Sequence, residues 1–526
     1  TAKQAVTRLS TTAWHDFAER HNNIAREFYR RAKKGMMNVA VIDTLVPRLT
    51  YSTLLATVFY LKSQWRSGLL GQENVGILLP SSAAGVIANL TVFALAKTVV
   101  NINFPAGKDN MQYAVKASSI KTIITSRRFI AKLSAKGVDL EELLENHTVI
   151  YMEDCISKSG KAKIARNRIL FRVMPGFIGK HVFSAKVQPE QTAAIVFSSG
   201  SEGRPKGVEL THSNIIANIK QTATVCNIER SDVALAALPL FHSFGLTTSM
   251  LMPLLLGCPL ICYADPTDAK TIGKLVCRYR VTMMYGTSTF FNLYVRNRKC
   301  MPEMFTSLRV LIAGAEKLSP KVKSEFQLKF NKAIYEGYGA TELSPVAGCS
   351  LPNEIDVADL YVEEFNRVGS VGLPLPGSAY RVVDPATLLD LEPGVDGLVL
   401  VCGPQVMKGY LNDPEKTQAA VFIEDGVRWY KTGDKGHLDK DGFLTLVDRY
   451  SRFAKIGGEM VSLSAVERNV ELVLTAEGVE FMAVAIADER KGEAIYVLHN
   501  SAKSAADIRR ELLDNGVDAL LLPSGF

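Results

Sequence analysis

Short apolar runs alternate with helix-patterned segments along most of the chain, and few folds accept that rhythm. The runs are NVGILLP, TVVNINFP, KTIITS, TVIYME, AAIVFSS, LRVLIAGAE and AIYEGYG. Strands covered on both faces read as near-continuous apolar runs, whereas half-exposed strands alternate. Between the runs lie segments such as SAAGVIANLTVFALAK and SPKVKSEFQLKF, which read as helices. The alternation predicts an α/β fold with largely parallel sheets. Ligand-binding loops then belong at the carboxyl ends of strands.

From about Arg367 the texture changes. RVGSVGLPLPGSAYRVVD and GVDGLVLVCGPQVMKGYL are strand-rich with Gly and Pro turns, which suits a small β subdomain. At 526 residues the chain exceeds one compact core. The expected division is residues 1–48 as a linker or helical segment from a preceding domain, 49–365 as an α/β core, and 366–447 as a β-rich subdomain. Residues 448–526 are expected to form a small, mobile α+β domain that is truncated here. The start at Thr1, without an initiator methionine, suggests a piece of a longer protein.

Composition narrows the function classes. A hydrophobic fraction of 47% with 22% charged residues marks a globular chain. The net charge of +8 is modest for the length and calls for no nucleic acid; it suits anionic substrates, an acidic partner or an anionic membrane surface. Eight scattered cysteines without a C-x-x-C pair read as reduced, mostly buried thiols of a cytosolic protein. The apolar stretch DVALAALPLFHSFGLTTSMLMPLLLGCPLICYAD is interrupted by His242, Ser243, two glycines and three prolines, so a buried strand, turn and helix is expected there rather than a membrane span. Residues 155–189 hold eight lysines and arginines and no acidic residue, with Leu170, Phe171, Met174 and Phe177 interleaved. That run is either a solvated surface or a basic amphipathic patch for anionic lipid or an acidic carrier protein.

The stretch AIVFSSGSEGRPKGVELTH carries the densest chemistry. A glycine-rich turn after a strand exposes backbone N–H groups that suit phosphate oxygens. Ser198, Ser199 and Ser201 add hydroxyl donors, Gly200, Gly203 and Gly207 let the backbone approach a ligand, and Lys206 adds positive charge. No G-K-[ST] closes it, so it is not the Walker loop.

SSGSEGRPKG closely resembles the signature loop of the adenylate-forming superfamily of acyl-CoA synthetases, luciferases and peptide-synthetase adenylation domains. Four more motifs follow in that family's order: GAEKL, YEGYGATE, YKTGD and DRYSRFAKIGGEMVSL. The resemblance implies a large N-terminal domain of two mostly parallel sheets with a β subdomain, then a small C-terminal domain. It implies ATP and Mg²⁺ as cofactors. Ser198, Ser199, Gly200, Ser201, Gly203 and Lys206 would hold the phosphates, and Gly314, Ala315 and Glu316 would line the adenine pocket. Tyr338 would stack on adenine beside Gly339, Thr341 would meet the α-phosphate and Glu342 would ligate Mg²⁺. Asp434 would accept the ribose hydroxyls and Arg449 would contact ribose or α-phosphate. His242 would flank the carboxylate, and Lys455, with Gly457 and Gly458, would shape the thiolation step. Taken without the resemblance, Thr341 and Glu342 equally suit a helix cap, Tyr338 a core position, Asp434 a turn and His242 a structural role.

The loop with Glu202, ALPLFHSFGLT and RFAKIGGEMVSL is most similar to the acyl–acyl-carrier-protein synthetase part of bacterial bifunctional enzymes that reacylate 2-acyl lysophosphatidylethanolamine. That similarity implies ATP-dependent activation of a fatty acid and transfer to the phosphopantetheine thiol of acyl carrier protein. It also implies a preceding acyltransferase domain and a cytoplasmic protein at the inner-membrane surface. A fatty acyl-CoA ligase is the alternative acceptor reading, and a non-catalytic lipid- or partner-binding module is the third. The family's adenylation lysine is expected beyond LLLPSGF at the chain's end, so slow adenylation by this chain is expected.

Overall fold

The computed structural model describes all residues except 1, 22, 45, 47, 189, 199–204, 357–360, 457–458, 476–477, 489–491 and 518–520. The chain divides into two compact units. The first comprises Thr1–Tyr380 and Leu400–Lys431, and the second Arg381–Val399 and Thr432–Phe526.

Two sheets organise the first unit. One has nine strands in the order Leu373–Pro374, Val346–Cys349, Tyr335–Gly339, Val310–Ala313, Met283–Gly286, Ala234–Ala236, Leu260–Cys262, Val39–Asp43 and Leu49–Thr50. Its six central strands are parallel, and antiparallel strands flank them. The other has seven, in the order Gly409–Tyr410, Lys206–Thr211, Thr192–Ser198, Thr98–Asn101, Asn74–Ile77, Thr122–Thr125 and Thr148–Tyr151. Its last five strands are mutually parallel, and the first two add antiparallel. All seven apolar runs named above form strands; five are buried where helices cover the sheet faces, whereas the edge strand Thr148–Tyr151 and the strand Tyr335–Gly339 are largely half-buried.

Local chemistry starts the covering helices where the strands end. Ser82 accepts from Gly85 N and caps Ala83–Ala94, whose first N–H also donates to Asp43 Oδ2 at 2.6 Å. Thr211 and Asn214 form a reciprocal capping box at the start of His212–Val225. Around the nine-stranded sheet, Phe291, Phe305, Phe326 and Phe330 build one aromatic-rich core with Leu311 and Met284. The long apolar stretch becomes a short strand, a turn, a helical segment and a second strand, and no helix among the described residues is long and apolar enough to cross a membrane. Six of the eight cysteines are buried, and Cys277 is exposed.

Strand Val427–Leu438 carries the chain from the first unit into the second. There it pairs with Leu444–Arg449, with Asp434 opposite Arg449. The second unit also holds an antiparallel sheet in the order Glu459–Ser462, Phe453–Ile456, Gly492–His499 and Phe481–Asp488. Helices Leu463–Val473 and Ala505–Asp514 cover it through Val466, Val470, Ile508 and Leu512.

Candidate active site

Four segments of the first unit that carry motif residues follow the carboxyl ends of parallel strands. Residues 199–204 follow Thr192–Ser198, His242 follows Ala234–Ala236, Gly314 follows Val310–Ala313, and Thr341 follows Tyr335–Gly339. That is the end at which α/β sheets place their ligands.

Ser198 and Lys206 stand opposite each other on the hairpin Thr192–Ser198 and Lys206–Thr211. The turn between them, with Ser199, Gly200, Ser201, Glu202 and Gly203, lies outside the described residues. Lys206 Nζ lies 5.9 Å from the centroid of the Tyr410 ring, a cation–π distance. Tyr410 arrives by sheet pairing, with Gly409 opposite Glu209 and Tyr410 opposite Val208.

The Tyr410 hydroxyl donates to Glu342 Oε1 at 2.8 Å. Burial raises its pKa, and the Glu342 charge raises it further, so the phenol stays a donor. Met407 N donates to Glu342 O at 2.7 Å and fixes the backbone. Glu342 sits in the 3₁₀ turn Thr341–Leu343, whose N-cap position is Ala340 and which has no side-chain cap. The Thr341 and Glu342 side chains are therefore not spent on capping. Ser243 Oγ donates to Thr341 Oγ1 at 3.5 Å, which ties the turn to the His242 segment. Gly339 holds the chain against Pro345, where a Cβ would lie 1.9 Å from the Pro345 carbonyl oxygen.

The His242 ring reaches the surface and packs on Phe241 at a centroid distance of 4.6 Å. Desolvation by its surroundings lowers its pKa below the usual histidine value, so it is neutral near pH 7. Phe244–Leu251, directly after it, is a π-helix, a form frequent at functional sites. Phe244 lies over Gly314, where a Cβ would meet its ring at 3.2 Å. Ala315 follows in the left-handed region at φ 70°, a strained setting for a residue with a Cβ. Glu316 then turns to Thr289, accepting from its N–H at 2.5 Å and its hydroxyl at 3.2 Å. Tyr338 is buried, with its ring centroid 6.3 Å from that of Tyr380.

In the second unit, Asp434 is buried and accepts from Arg449 Nε at 2.8 Å, while the arginine remains largely exposed. Lys455 belongs to the strand Phe453–Ile456; its side chain, like Gly457 and Gly458, lies outside the described residues.

The structure thus brings Ser198, Lys206, Thr341, Glu342 and the His242 segment into one unit, and pairs Asp434 with Arg449 in the other. Sequence reading missed Tyr410 and Ser243. Tyr410 lies in MKGYL, whose only signal was strand texture; its importance emerges from pairing with a strand 200 residues earlier. Among the described residues no group of three His, Cys, Asp or Glu converges on a metal site. Magnesium bound to a nucleotide needs only one or two protein carboxylates, because water and phosphate complete its shell, and the half-buried Glu342 meets that need.

Residues 28–411 match the family model of the AMP-binding enzymes. Curated relatives include a long-chain-fatty-acid–CoA ligase of Salmonella typhimurium, 28% identical over 81% of this chain and 76% of the relative. They also include 4-coumarate–CoA ligase-like 6 of Arabidopsis thaliana, 30% identical over 76% of this chain and 68% of the relative. Among solved structures, ATP-bound MatB from Rhodopseudomonas palustris superposes with a TM-score of 0.74 at 22% identity, covering 95% of this chain and 94% of that one. The o-succinylbenzoate coenzyme A synthetase of Bacillus subtilis in complex with AMP gives 0.75 at 22% identity, over 95% and 93%. The fold is that of the adenylate-forming enzymes, and the chain belongs to the family of AMP-binding enzymes.

Proposed function

We propose that this protein uses ATP to activate a fatty acid as its acyl-adenylate and passes the acyl group to the phosphopantetheine thiol of an acyl carrier protein, in the service of lysophospholipid reacylation. The carboxylate oxygen attacks the α-phosphorus and pyrophosphate leaves. The thiol sulfur then attacks the acyl carbon and AMP leaves. The observation that carries this reading is the arrangement of Lys206 and Glu342 about one phenol, Tyr410, beyond the carboxyl ends of the strands.

The first step brings two anions together, and fixed positive charge must offset their repulsion. Lys206 supplies that charge beside the glycine-rich turn. Glu342, oriented by Tyr410, is the residue to hold Mg²⁺, which when bound neutralises phosphate charge. Thr341, which accepts from Ser243, donates to the α-phosphate in this reading. A neutral His242 hydrogen-bonds a carboxylate without trapping it as an ion pair. Tyr338 and the 314–316 loop take the adenine, Asp434 takes the ribose hydroxyls with Arg449 beside it, and Lys455 serves the thiolation step.

The carrier-protein acceptor is supported by the surface of helices Lys158–Val173 and Gly176–Phe183. It exposes Ile169, Val173 and Phe177 among Lys161, Lys163, Arg166 and Arg172, and residues 155–189 contain no acidic side chain. The same surface supports attachment to the cytoplasmic face of the inner membrane, which co-sedimentation with phosphatidylglycerol vesicles checks. Coenzyme A is the second reading, favoured by the names of the curated relatives. Thioester formation with each acceptor decides: the proposal expects preference for acyl carrier protein, lost on Arg166→Glu with Arg172→Glu. Turnover with coenzyme A alone transfers the assignment to that acceptor, and absence of fatty-acid-dependent pyrophosphate exchange overturns the activity.

A further inference from the structure

A second cavity of the first unit, of 310 Å³, lies at the other end of the nine-stranded sheet. Helix Ile24–Lys34, the end of helix His212–Val225 and the segments leading into Ala234–Ala236 and Leu260–Cys262 enclose it. It therefore lies at the amino ends of these two strands, whereas the candidate active site follows carboxyl ends. Arg30, Arg31, Lys34, Lys220 and Arg230 line it, with Glu27 as its single carboxylate.

Glu27 is already engaged, by Arg30 and by His21 Nδ1 at 3.0 Å. Arg31, Lys34, Lys220 and Arg230 form no ion pair among the described residues, so the cavity holds an excess of uncompensated positive charge. Arg31 is only 6% exposed. Its guanidinium lies over Gly257, where a Cβ would come 1.8 Å from Nε, and its Cζ is 5.8 Å from the Tyr51 ring centroid. Its Nε has no hydrogen-bond partner. Lys220 is partly desolvated, which lowers its pKa, and the nearby Arg30 and Lys34 lower it further against the pull of Glu27. Burying an arginine with an unpaired donor among like charges is costly unless an anion completes the site. Guanidinium forks and lysine ammonium groups together match phosphate oxygens. Ile228, Leu255 and Leu256 give the same cavity an apolar wall.

We infer that this cavity is a second ligand site, built for a phosphate-bearing molecule whose organic part rests on the Ile228, Leu255 and Leu256 wall. The volume suits a small molecule at the lower end of ligand pockets, about 300 Å³. The inference rests on the packing of this unit alone and is independent of the activity proposed above.

Calorimetric titration of the full chain tests it with three probes: inorganic phosphate, adenosine 3′,5′-bisphosphate and monomeric dihexanoyl-phosphatidylglycerol. The probe bound most tightly tells free phosphate, nucleotide and lipid headgroup apart. Lys34→Glu with Arg230→Glu changes two exposed side chains and is expected to weaken binding at least tenfold. Lys34→Gln, which removes one exposed charge, is expected to weaken it about threefold. Lys206→Ala, at the candidate active site, is expected to leave this binding unchanged. The inference is overturned if none of the three probes binds the wild-type chain at millimolar concentration, or if the Lys34 and Arg230 variants bind as the wild type does.

Discussion

The Tyr410 hydroxyl and Glu342 Oε1, 2.8 Å apart, join an edge strand of the seven-stranded sheet to the turn that follows a strand of the nine-stranded one. The bond orients the carboxylate that the proposed chemistry needs. Tyr410→Phe removes that donor and leaves the ring under Lys206. A hydrogen bond to a charged group contributes about 1.5 kcal/mol at the low end, a factor of about ten. Fatty-acid-dependent pyrophosphate exchange is expected to fall about tenfold, with little change in melting temperature.

Glu342→Gln separates the two duties of that residue. The amide oxygen still accepts from Tyr410, but the charge is gone. Exchange activity is expected to drop about 100-fold or more, and the Mg²⁺ concentration for half-maximal rate to rise. Activity and Mg²⁺ dependence equal to wild type would remove Glu342 from the site.

Asp232 is a structural counterpart, buried and bonded to Arg309 Nη2 at 2.6 Å, Glu229 N at 2.8 Å and Thr282 Oγ1 at 2.7 Å. Burial alone would raise its pKa, but these partners outweigh burial and hold it below the usual carboxylate value. The stabilisation is therefore present above the ordinary carboxylate range and is lost as pH falls through the lower, folded-state value. Asp232→Asn is expected to cost about 2–3 kcal/mol at pH 7. Urea unfolding at pH 7 and pH 4 should show the gap narrowing in acid.

His212 works the opposite way, as a buried base kept neutral. Its Nδ1 accepts from Ile24 N at 3.3 Å, Phe93 packs edge-on, and burial pushes its pKa down to about 3. Below pH ~6.5 the unfolded chain takes up a proton there and the folded chain does not. Folding thus loses about 1.4 kcal/mol per pH unit from this group on acidification, down to the folded-state value. His212→Asn keeps an acceptor for Ile24 N and should flatten the stability slope between pH 6.5 and 5 by about that amount.

The contact between Gly179 and Tyr29 seats helix Gly176–Phe183 on helix Ile24–Lys34. A Cβ on Gly179 would lie 1.8 Å from Tyr29 Oη, which is itself buried without a hydrogen-bond partner. Gly179→Ala is expected to destabilise by about 1–3 kcal/mol. Tyr29→Phe should be neutral or stabilising. The double variant should lose less than Gly179→Ala alone, as measured by equilibrium unfolding.

The strands of the two sheets were legible where their runs are long and apolar, as in AAIVFSS and LRVLIAGAE, because double-sided burial leaves no polar phase to confuse. Met283–Gly286 carries no such signal: MMYG is rich in flexible side chains, and neighbouring strands make it one. The π-helix at Phe244–Leu251 was read only as helix, since an i→i+5 turn has no distinctive residue pattern. The GAEKL motif falls in the loop after the strand Val310–Ala313, whereas YEGYGATE is itself the strand Tyr335–Gly339 running into the turn that carries Thr341 and Glu342. Tyr410 was invisible because its neighbours in space are Val208, Lys206 and Glu342, and no local pattern records an edge pairing.

That edge pairing has a genetic corollary. Gly409 and Tyr410 present opposite faces of a two-residue strand, so displacing it by one position against Val208 would turn the aromatic ring away from its carboxylate and offer a bare glycine instead. Codon insertions or deletions between Met407 and Gly409 should then be purged far more strictly than amino-acid replacements at the same sites, since length, more than identity, keeps the phenol in phase.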